Sequence, residues 1–500
     1  MDIYKPDFRQ FQKNYISGKH QILFHSFAAD VHTPVSSLIK LKNEKYTFLF
    51  ESVEKGSHKG RYSVIGIKPD LIWECKNNVC TYKNINVSNK TQILKTNPLT
   101  SLIELMKKNK IKMPHNIPSI ATGLFGYMGY EMIQFFENVN LNKKNYLNLP
   151  DSIFIRPSIT LVFDNVNDRL FVSKLVCKSN LSPRKSFENA KNEIKTVINK
   201  INKPISSKNF NSIHKKREKL RIFKNVKSNT NYAEFKKMVE KAKKYIFEGE
   251  IFQVVLSRVF KKKITTEPFS VYRALRYLNP SPYLFFMNFK DFSIVGSSPE
   301  ILIKLENKKV TIRPIAGTRK RGKNELEDKK LQNDLINDPK EISEHLMLLD
   351  LGRNDISRVT KPGSVKVTDK MYIEYFSHVM HIVSNIEGDI ENNKKQTDVL
   401  FSGFPAGTVT GAPKIRAIQI IEELEKNRRN IYAGSVGYIS ADGNIDTCIA
   451  LRTALIKDKH IYIQSGAGIV ADSKPKSEFQ ETKNKALALL TACEEARNFK

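Results

Sequence analysis

Apolar residues fall at helical spacing through "NTNYAEFKKMVEKAKKYIFEGE" (229–250), where Tyr232, Phe235, Met238, Val239, Ala242 and Ile246 share one face. Asn231 with Glu234 predicts an N-terminal cap, and Gly249 a stop. "IFQVVLSRVF" (251–260) then reads as a strand. Earlier, "SIFIRPSITLVFDNVNDRLFVSKLV" (152–176) reads as two strands joined by an Asp/Asn turn. Short apolar runs at "YTFLFESV" and "GRYSVIGIKPDLIWE" precede the helix-like "TSLIELMKKNK". "GLFGYMGYEMIQFF" (123–136), with glycines between aromatics, predicts a tightly packed turn and helix start. After 250, strand-like runs ("FSIVGSSPEILIKLE", "KVTIRPIAGT", "GSVGYIS", "HIYIQSGAGIV") alternate with helical ones. The expected class is α+β: a large antiparallel-rich β-sandwich flanked by helices. Residues 200–228 are basic and polar without a clear period, and read as a linker or long exposed loop.

Five hundred residues imply two domains or one large elaborated one. At 40% hydrophobic and 27% charged, the composition is that of an ordinary globular protein. The first twenty residues lack an apolar core, so no secretory signal is expected. The uncharged run "NIPSIATGLFGYMGY" is too short and broken to span a bilayer. A cytoplasmic protein without a membrane partner is expected. Five scattered cysteines lack zinc-site spacing and read as reduced thiols. The formal charge of +32 is spread along the chain rather than set in a basic stripe with aromatics, so no nucleic-acid partner is expected. A positive field also draws in a small dianion.

Two segments carry candidate chemistry. In "DPKEISEHLMLLDLGRND" (338–355), Asp338 can cap a helix, Pro339 fits its first position, and Glu341 completes a capping box. That accounts for Glu341 but not for Glu344, which shares its face one turn on. "KPKSEFQETKNKA" (474–486) repeats the arrangement with Glu478 and Glu481, followed by Lys485. Each alone reads as a solvated helix face. Together they suggest four carboxylates turned toward one hard cation. "RPIAGTRKRG" (313–322) ends a strand in Ala-Gly-Thr before basic residues, either a plain turn or an anion cradle. "QSGAGIV" (464–470) ends another strand the same way, without the third glycine of a dinucleotide fingerprint. "GFPAGTVTGAPK" lacks the Gly-Lys-Ser/Thr ending of a Walker A loop. His378 and His381 lie on an apolar segment, where a satisfied core histidine is the commoner outcome. Arg452, in the apolar run "DTCIALRTALI", needs an acidic partner or an anionic ligand.

In their order and joint wording these motifs resemble the anthranilate synthase component I branch of the chorismate-utilising enzymes. The resemblance is strong over about 230–490, through "EIFQVVLSR", "NPSPYLFFM", "GSSPE", "PIAGT", "EISEHLMLLDLGRND", "HVMHIVS", "GTVTGAPK", "YAGSVGY", "DTCIALR", "QSGAGIV" and "SEFQETKNKA". It is looser over about 20–175, through "LFES", "GRYSVIG" and "GLFGYMGYE". It implies an N-terminal regulatory region (1–199) sharing its sheets with the core, the linker (200–228), and a catalytic region (229–500).

The resemblance also implies an activity: chorismate and ammonia to anthranilate and pyruvate, the first committed step of tryptophan biosynthesis. Glu344 and Glu481 would hold Mg²⁺ directly, with Glu341 and Glu478 behind them. Arg452, the Tyr432 hydroxyl and the backbone of Gly466, Ala467 and Gly468 would hold substrate carboxylates, with Lys485 adding charge. Gly317 and Thr318 would line the ring, Thr408 would lie close by, and His381 would handle a proton or position the ring. Relatives that attack with a lysine carry it at Ala316, and those that activate water carry one at Gln253, so both residues favour ammonia. No glutaminase-like region is legible, which implies a separate glutamine amidotransferase subunit. Glu51, Ser52, Pro282, Tyr283 and Leu284 would form a tryptophan feedback site, with Pro34 nearby.

Overall fold

The computed structural model describes residues 4–41, 44–54, 58–85, 90–205, 222–376 and 379–499. Most of the 200–228 segment, and His378, therefore lie outside the described residues. Of that segment's ends, the first belongs to the Pro183–Ile201 helix and the last pairs Lys227 with Lys261.

Among the described residues, 23 strands form one hydrogen-bonded network, with two further strands paired apart. Two long strands organise it. Tyr62–Lys76 and Ser152–Asp164 pair along nearly their whole lengths, with a bulge between Arg156 and Pro157. Beyond the bulge the sheet continues through Thr47–Glu51 to Tyr283–Asn288, Phe292–Ser298, Thr453–Lys457, His460–Ile469 and Gln253–Lys263. Before it, the sheet runs through Gly123–Met128 to Ser435–Ser440, Ile445–Ile449, Ile301–Glu306, Lys309–Ile312 and Val379–Asp389. The two long strands thus belong to both layers, the bulge supplying the bend between them.

Phe48, Phe285 and Ile294 of one layer meet Phe125, Tyr127 and Val436 of the other in the inter-sheet core. Phe48 and Phe125 stack at 4.4 Å between ring centroids. Helices cover the outer faces: Pro183–Ile201, Pro268–Leu278 and Pro475–Glu495 on one, Pro98–Lys108, Tyr232–Phe247 and Lys414–Leu424 on the other. The Tyr232–Phe247 helix carries the expected capping box of Asn231 and Glu234. The antiparallel sandwich is the expected class. No helix among the described residues is long and apolar enough to cross a membrane.

One segment departs from its reading. "GLFGYM" is a fully buried strand, and only Tyr130–Phe135 after it is helical, as a 3₁₀ turn. A strand covered on both faces shows no polar alternation, so its period is invisible. The glycine serves close approach: a Cβ on Gly126 would lie 1.9 Å from the Ile153 carbonyl oxygen.

Candidate active site

Asp338 caps the Pro339–Ser357 helix by accepting from the backbone N–H groups of Lys340 and Glu341, and Pro339 takes the first turn. Glu341 does not close a capping box. Its carboxylate accepts from Arg319 at 2.9 Å, and the same guanidinium reaches Asp334 at 2.6 Å and Asp338 at 2.7 Å. Arg321 is likewise spent on Asp328. Two cations of the basic run after Ala-Gly-Thr, Arg319 and Arg321, are therefore neutralised by carboxylates. The strand does not end there: Ile315–Lys320 continues through a bulge at Gly317, whose φ of +68° suits glycine.

The glutamates of the two helices lie close enough for their charges to act on one another. Burial raises the Glu344 carboxyl, and Glu341 and Glu481 raise it further, while Lys485 and Lys340 oppose them. Burial and Glu481 also raise Glu478, and the same Lys340 acts on it. Among the described residues no three acidic, histidine or cysteine side chains converge into a preformed metal cage. Glu341 is drawn to Arg319, and Glu481 pairs with Lys485 at 2.7 Å. The donor set is oxygen-only and self-repelling, which suits a hard cation that keeps waters.

The opposite wall comes from His460–Ile469, which lies against Gln253–Lys263 with Gly466 facing Ser257 and Gly468 facing Val255. The Gly466 N–H donates to the Tyr432 hydroxyl, and burial pushes that phenol up to about 12. A Cβ on Gly466 would sit 2.8 Å from this hydroxyl, and one on Gly468 2.5 Å from the Gln253 amide nitrogen, so glycine leaves the backbone open here. Lys485 Nζ donates to the Gly466 carbonyl at 3.1 Å. Arg452 lies between the strands Ile445–Ile449 and Thr453–Lys457 rather than within one run, at φ +46°. Such a φ costs a residue with a side chain and marks a position held for its direction. No described side chain forms an ion pair or hydrogen bond with its guanidinium, although the Glu481 charge acts on it.

His381 faces the Gly317–Thr318 bulge. Its Nδ1 lies 2.9 Å from the Gly317 carbonyl and 3.0 Å from Thr318 Oγ1. Burial pushes its pKa to about 4, with Arg452 and Lys485 adding to the shift, so the ring is neutral. A carbonyl only accepts; Nδ1 therefore carries the proton and Nε2 is left as an acceptor.

One group escaped the sequence reading. Glu300, 4% exposed, accepts from Thr408 Oγ1 at 2.7 Å and from the backbone N–H of Ile315. Burial raises its pKa to about 8, against which Lys485 acts. A carboxyl neutral at physiological pH beside Lys485 is a proton donor by environment. The motif "GSSPE" was legible; the burial of its last residue was not. Gln253 adds a buried Oε1 without a hydrogen-bond partner.

A second cavity, of about 480 Å³, is lined by Ser52, Pro282, Tyr283 and Leu284 together with Val436, Tyr438, Asp446 and Cys448. Leu284 and Glu51 are partners on adjacent strands. Glu51 contributes to the wall, yet its carboxylate is already held by Tyr272 at 2.6 Å and Arg276 at 2.8 Å. Three bonds from these two side chains thus occupy most of its acceptor capacity. Asp446, bonded by the Tyr283 hydroxyl at 2.7 Å, and Glu306 are further acids of the lining, which also includes Arg61, Lys304 and Arg313. Pro34 is not among its walls.

Residues 47–491 match the family model described as chorismate binding enzyme. Anthranilate synthase component 1 of Cereibacter sphaeroides is 45% identical over 98% of each chain. That of Aquifex aeolicus is 43% identical over 94% of each. The crystal structure of anthranilate synthase component I from Streptococcus pneumoniae superposes with a TM-score of 0.74 at 36% identity, covering 86% of this chain and 92% of that one. The menaquinone-specific isochorismate synthase of Escherichia coli shares the fold at a TM-score of 0.70 and 19% identity, over 97% of this chain and 99% of that one. With most of its length matched by the family model and nearly all of it by relatives above 40% identity, the chain is a chorismate-binding family enzyme of the anthranilate synthase component 1 group.

Proposed function

We propose that the chain makes anthranilate and pyruvate from chorismate and ammonia, the first committed step of tryptophan biosynthesis. One observation carries this reading: Lys485, bonded to the Gly466 carbonyl of the open glycine backbone, acts at once on the carboxylate Glu344, on His381 and on the neutral acid Glu300, while Arg452 has no side-chain partner among the described residues. A dianion with a leaving hydroxyl matches that set.

Arg452, Tyr432 and the Gly466–Gly468 backbone bind substrate carboxylates, the guanidinium by its planar fork. Glu344 and Glu481, supported by Glu341 and Glu478, would hold Mg²⁺, which would supply charge neutralisation for a substrate carboxylate. Glu300, oriented by the Thr408 hydroxyl, gives its proton to the departing hydroxyl, which leaves as water, while ammonia bonds to the ring and its surplus proton returns to the Glu300 carboxylate. The unpartnered Gln253 Oε1 accepts an N–H of ammonia. Ala316, lying where a covalent lysine acts in relatives, cannot attack. His381 Nε2 takes the proton from the aminated ring carbon as the C–O bond breaks and the ring aromatises, and the departing enolpyruvate is protonated at its methylene carbon to give pyruvate.

A glutamine amidotransferase subunit, suggested by the component 1 naming of the relatives, supplies ammonia in the cell, and ammonium salts replace it in vitro. The second cavity takes tryptophan: Asp446 and Ser52 suit an ammonium, Arg61 or Arg313 a carboxylate, and the Pro282–Leu284 wall an indole. The Ser52→Phe variant is expected to resist tryptophan, raising the half-inhibitory concentration at least about tenfold at near-normal turnover. Unchanged inhibition would remove the cavity from feedback.

The deciding experiment mixes the purified chain with chorismate, Mg²⁺ and ammonium salt at alkaline pH and follows anthranilate fluorescence. A magnesium-dependent signal suppressed by tryptophan supports the whole reading. A signal indifferent to tryptophan leaves the synthase and removes feedback. Folded protein that yields aminodeoxychorismate or isochorismate instead would reassign the reaction.

A further inference from the structure

Arg258 takes no part in the chemistry above, yet it is 1% exposed and among the largest fully buried side chains of the chain. It stands on Gln253–Lys263 directly opposite Ser465, next to the glycine clamp. No carboxylate pairs with it among the described residues, and burial pulls its pKa down to about 10. A buried cation without an anion is costly, and an apolar side chain of similar size would pack as well.

Its contacts explain what it gives in return. Nε donates to Thr482 Oγ1 at 2.7 Å, and a terminal nitrogen donates to the Phe479 carbonyl at 3.1 Å. The guanidinium lies 3.6 Å from the centroid of the Phe479 ring. Another, longer bond reaches the Thr230 carbonyl at 3.5 Å. Three of these contacts grip one turn of the Pro475–Glu495 helix. Ser465 Oγ adds a bond to the Thr482 carbonyl at 2.8 Å, tying the same turn to the clamp strand. Phe479 and Thr482, three apart, share one helix face. Glu478 and Glu481 each precede one of them by a single residue, so they occupy the neighbouring face, with Lys485 one turn beyond Glu481.

We propose that Arg258 is a positioning residue: it fixes the rotation and depth of the Pro475–Glu495 helix, and so sets the cation affinity of Glu478 and Glu481 and the reach of Lys485 to Gly466. The proposal rests on the Mg²⁺ reading of that face. Only a planar fork can bond a hydroxyl and a carbonyl while stacking on a ring, so lysine is no substitute although it keeps the charge.

Arg258→Lys, Arg258→Met and Thr482→Val are compared with the wild type. Mg²⁺ is titrated calorimetrically without chorismate, kinetics are run with chorismate and ammonium, and each protein is melted. Both arginine variants are expected to bind Mg²⁺ about tenfold or more weakly and to lose kcat, with lysine giving no rescue. Thr482→Val, which loses one acceptor, is expected to bind it about threefold more weakly. A merely structural role would lower the melting temperature and leave the Mg²⁺ affinity of the folded protein unchanged, and that result overturns the proposal. If the arginine variants do not fold, Thr482→Val decides by the same criterion. A wild type that makes anthranilate and binds Mg²⁺, beside variants that bind it equally well, removes the role of Arg258 alone. A wild type that binds no Mg²⁺ removes the cation reading and this proposal together.

Discussion

Glutamine at position 300 is expected to lower kcat for ammonia-dependent anthranilate formation by about 10²–10⁴-fold, with little change in KM for chorismate. The substitution keeps the size and the bond from Thr408 but removes the proton. The pH dependence gives an independent readout. Burial holds the Glu300 pKa near 8, so the acid form prevails below that value and is lost above it. With free ammonia held constant, wild-type kcat therefore falls as pH rises through about 8. That limb disappears in Glu300→Gln. A variant that turns over at the wild-type rate, or keeps the limb, would show that the leaving group is protonated from elsewhere.

The same residue marks where sequence stops being informative. Glu300 stands in a quotable motif, but its acidity comes from burial and from Thr408, 108 residues downstream. Neither is periodic or local. The carboxylate helix was legible because its signals are local: Asp338 caps it, Pro339 opens it, and the Glu341/Glu344 spacing fixes a face. What lay beyond reach was the competition for those carboxylates. Arg319 stands in a different element from Glu341, and only the fold brings them together. The resemblance pointed to the second cavity, yet not to the fact that Tyr272 and Arg276 hold Glu51 while Asp446 joins the lining. Ser152–Asp164 is as fully buried as Gly123–Met128, yet its long run rich in β-branched residues ends in an Asp/Asn turn that made it readable, whereas the short, glycine-interrupted strand carried no such signal.

Glu344→Gln and Glu481→Gln are each expected to abolish Mg²⁺-dependent turnover, a loss of about three orders of magnitude or more in kcat/KM. The argument is electrostatic. Glu344 is half-buried near Glu341 and Glu481, an arrangement that raises its pKa and that a bound cation would relieve beyond what Lys485 and Lys340 already do. Removing one of these charges leaves a set too weak to strip water from Mg²⁺ and lets Lys485 or Arg319 neutralise the rest. The measurement is anthranilate formation against Mg²⁺ concentration, with calorimetry beside it. Glu481→Gln has a further mark: the Lys485 ion pair at 2.7 Å is lost, freeing that ammonium for the clamp. Full activity in either variant at ordinary Mg²⁺ would sink the metal assignment, and loss of activity with intact Mg²⁺ binding would move the residue to the substrate.

The weave of the two sheets also bears on how the chain is made. Strand Thr47–Glu51 finds its neighbour at Tyr283–Asn288, and Gly123–Met128 completes its pairing only with Ser435–Ser440. A ribosome adding about 5–20 residues per second needs some 15–60 s to cover the roughly 300 residues between the last two. Throughout that interval the early strands hold open, apolar edges, the kind that join neighbouring nascent chains. Long-range pairing of this sort also closes slowly. The N-terminal third is therefore expected to need shielding during synthesis, and a fragment ending before residue 283 to aggregate rather than fold.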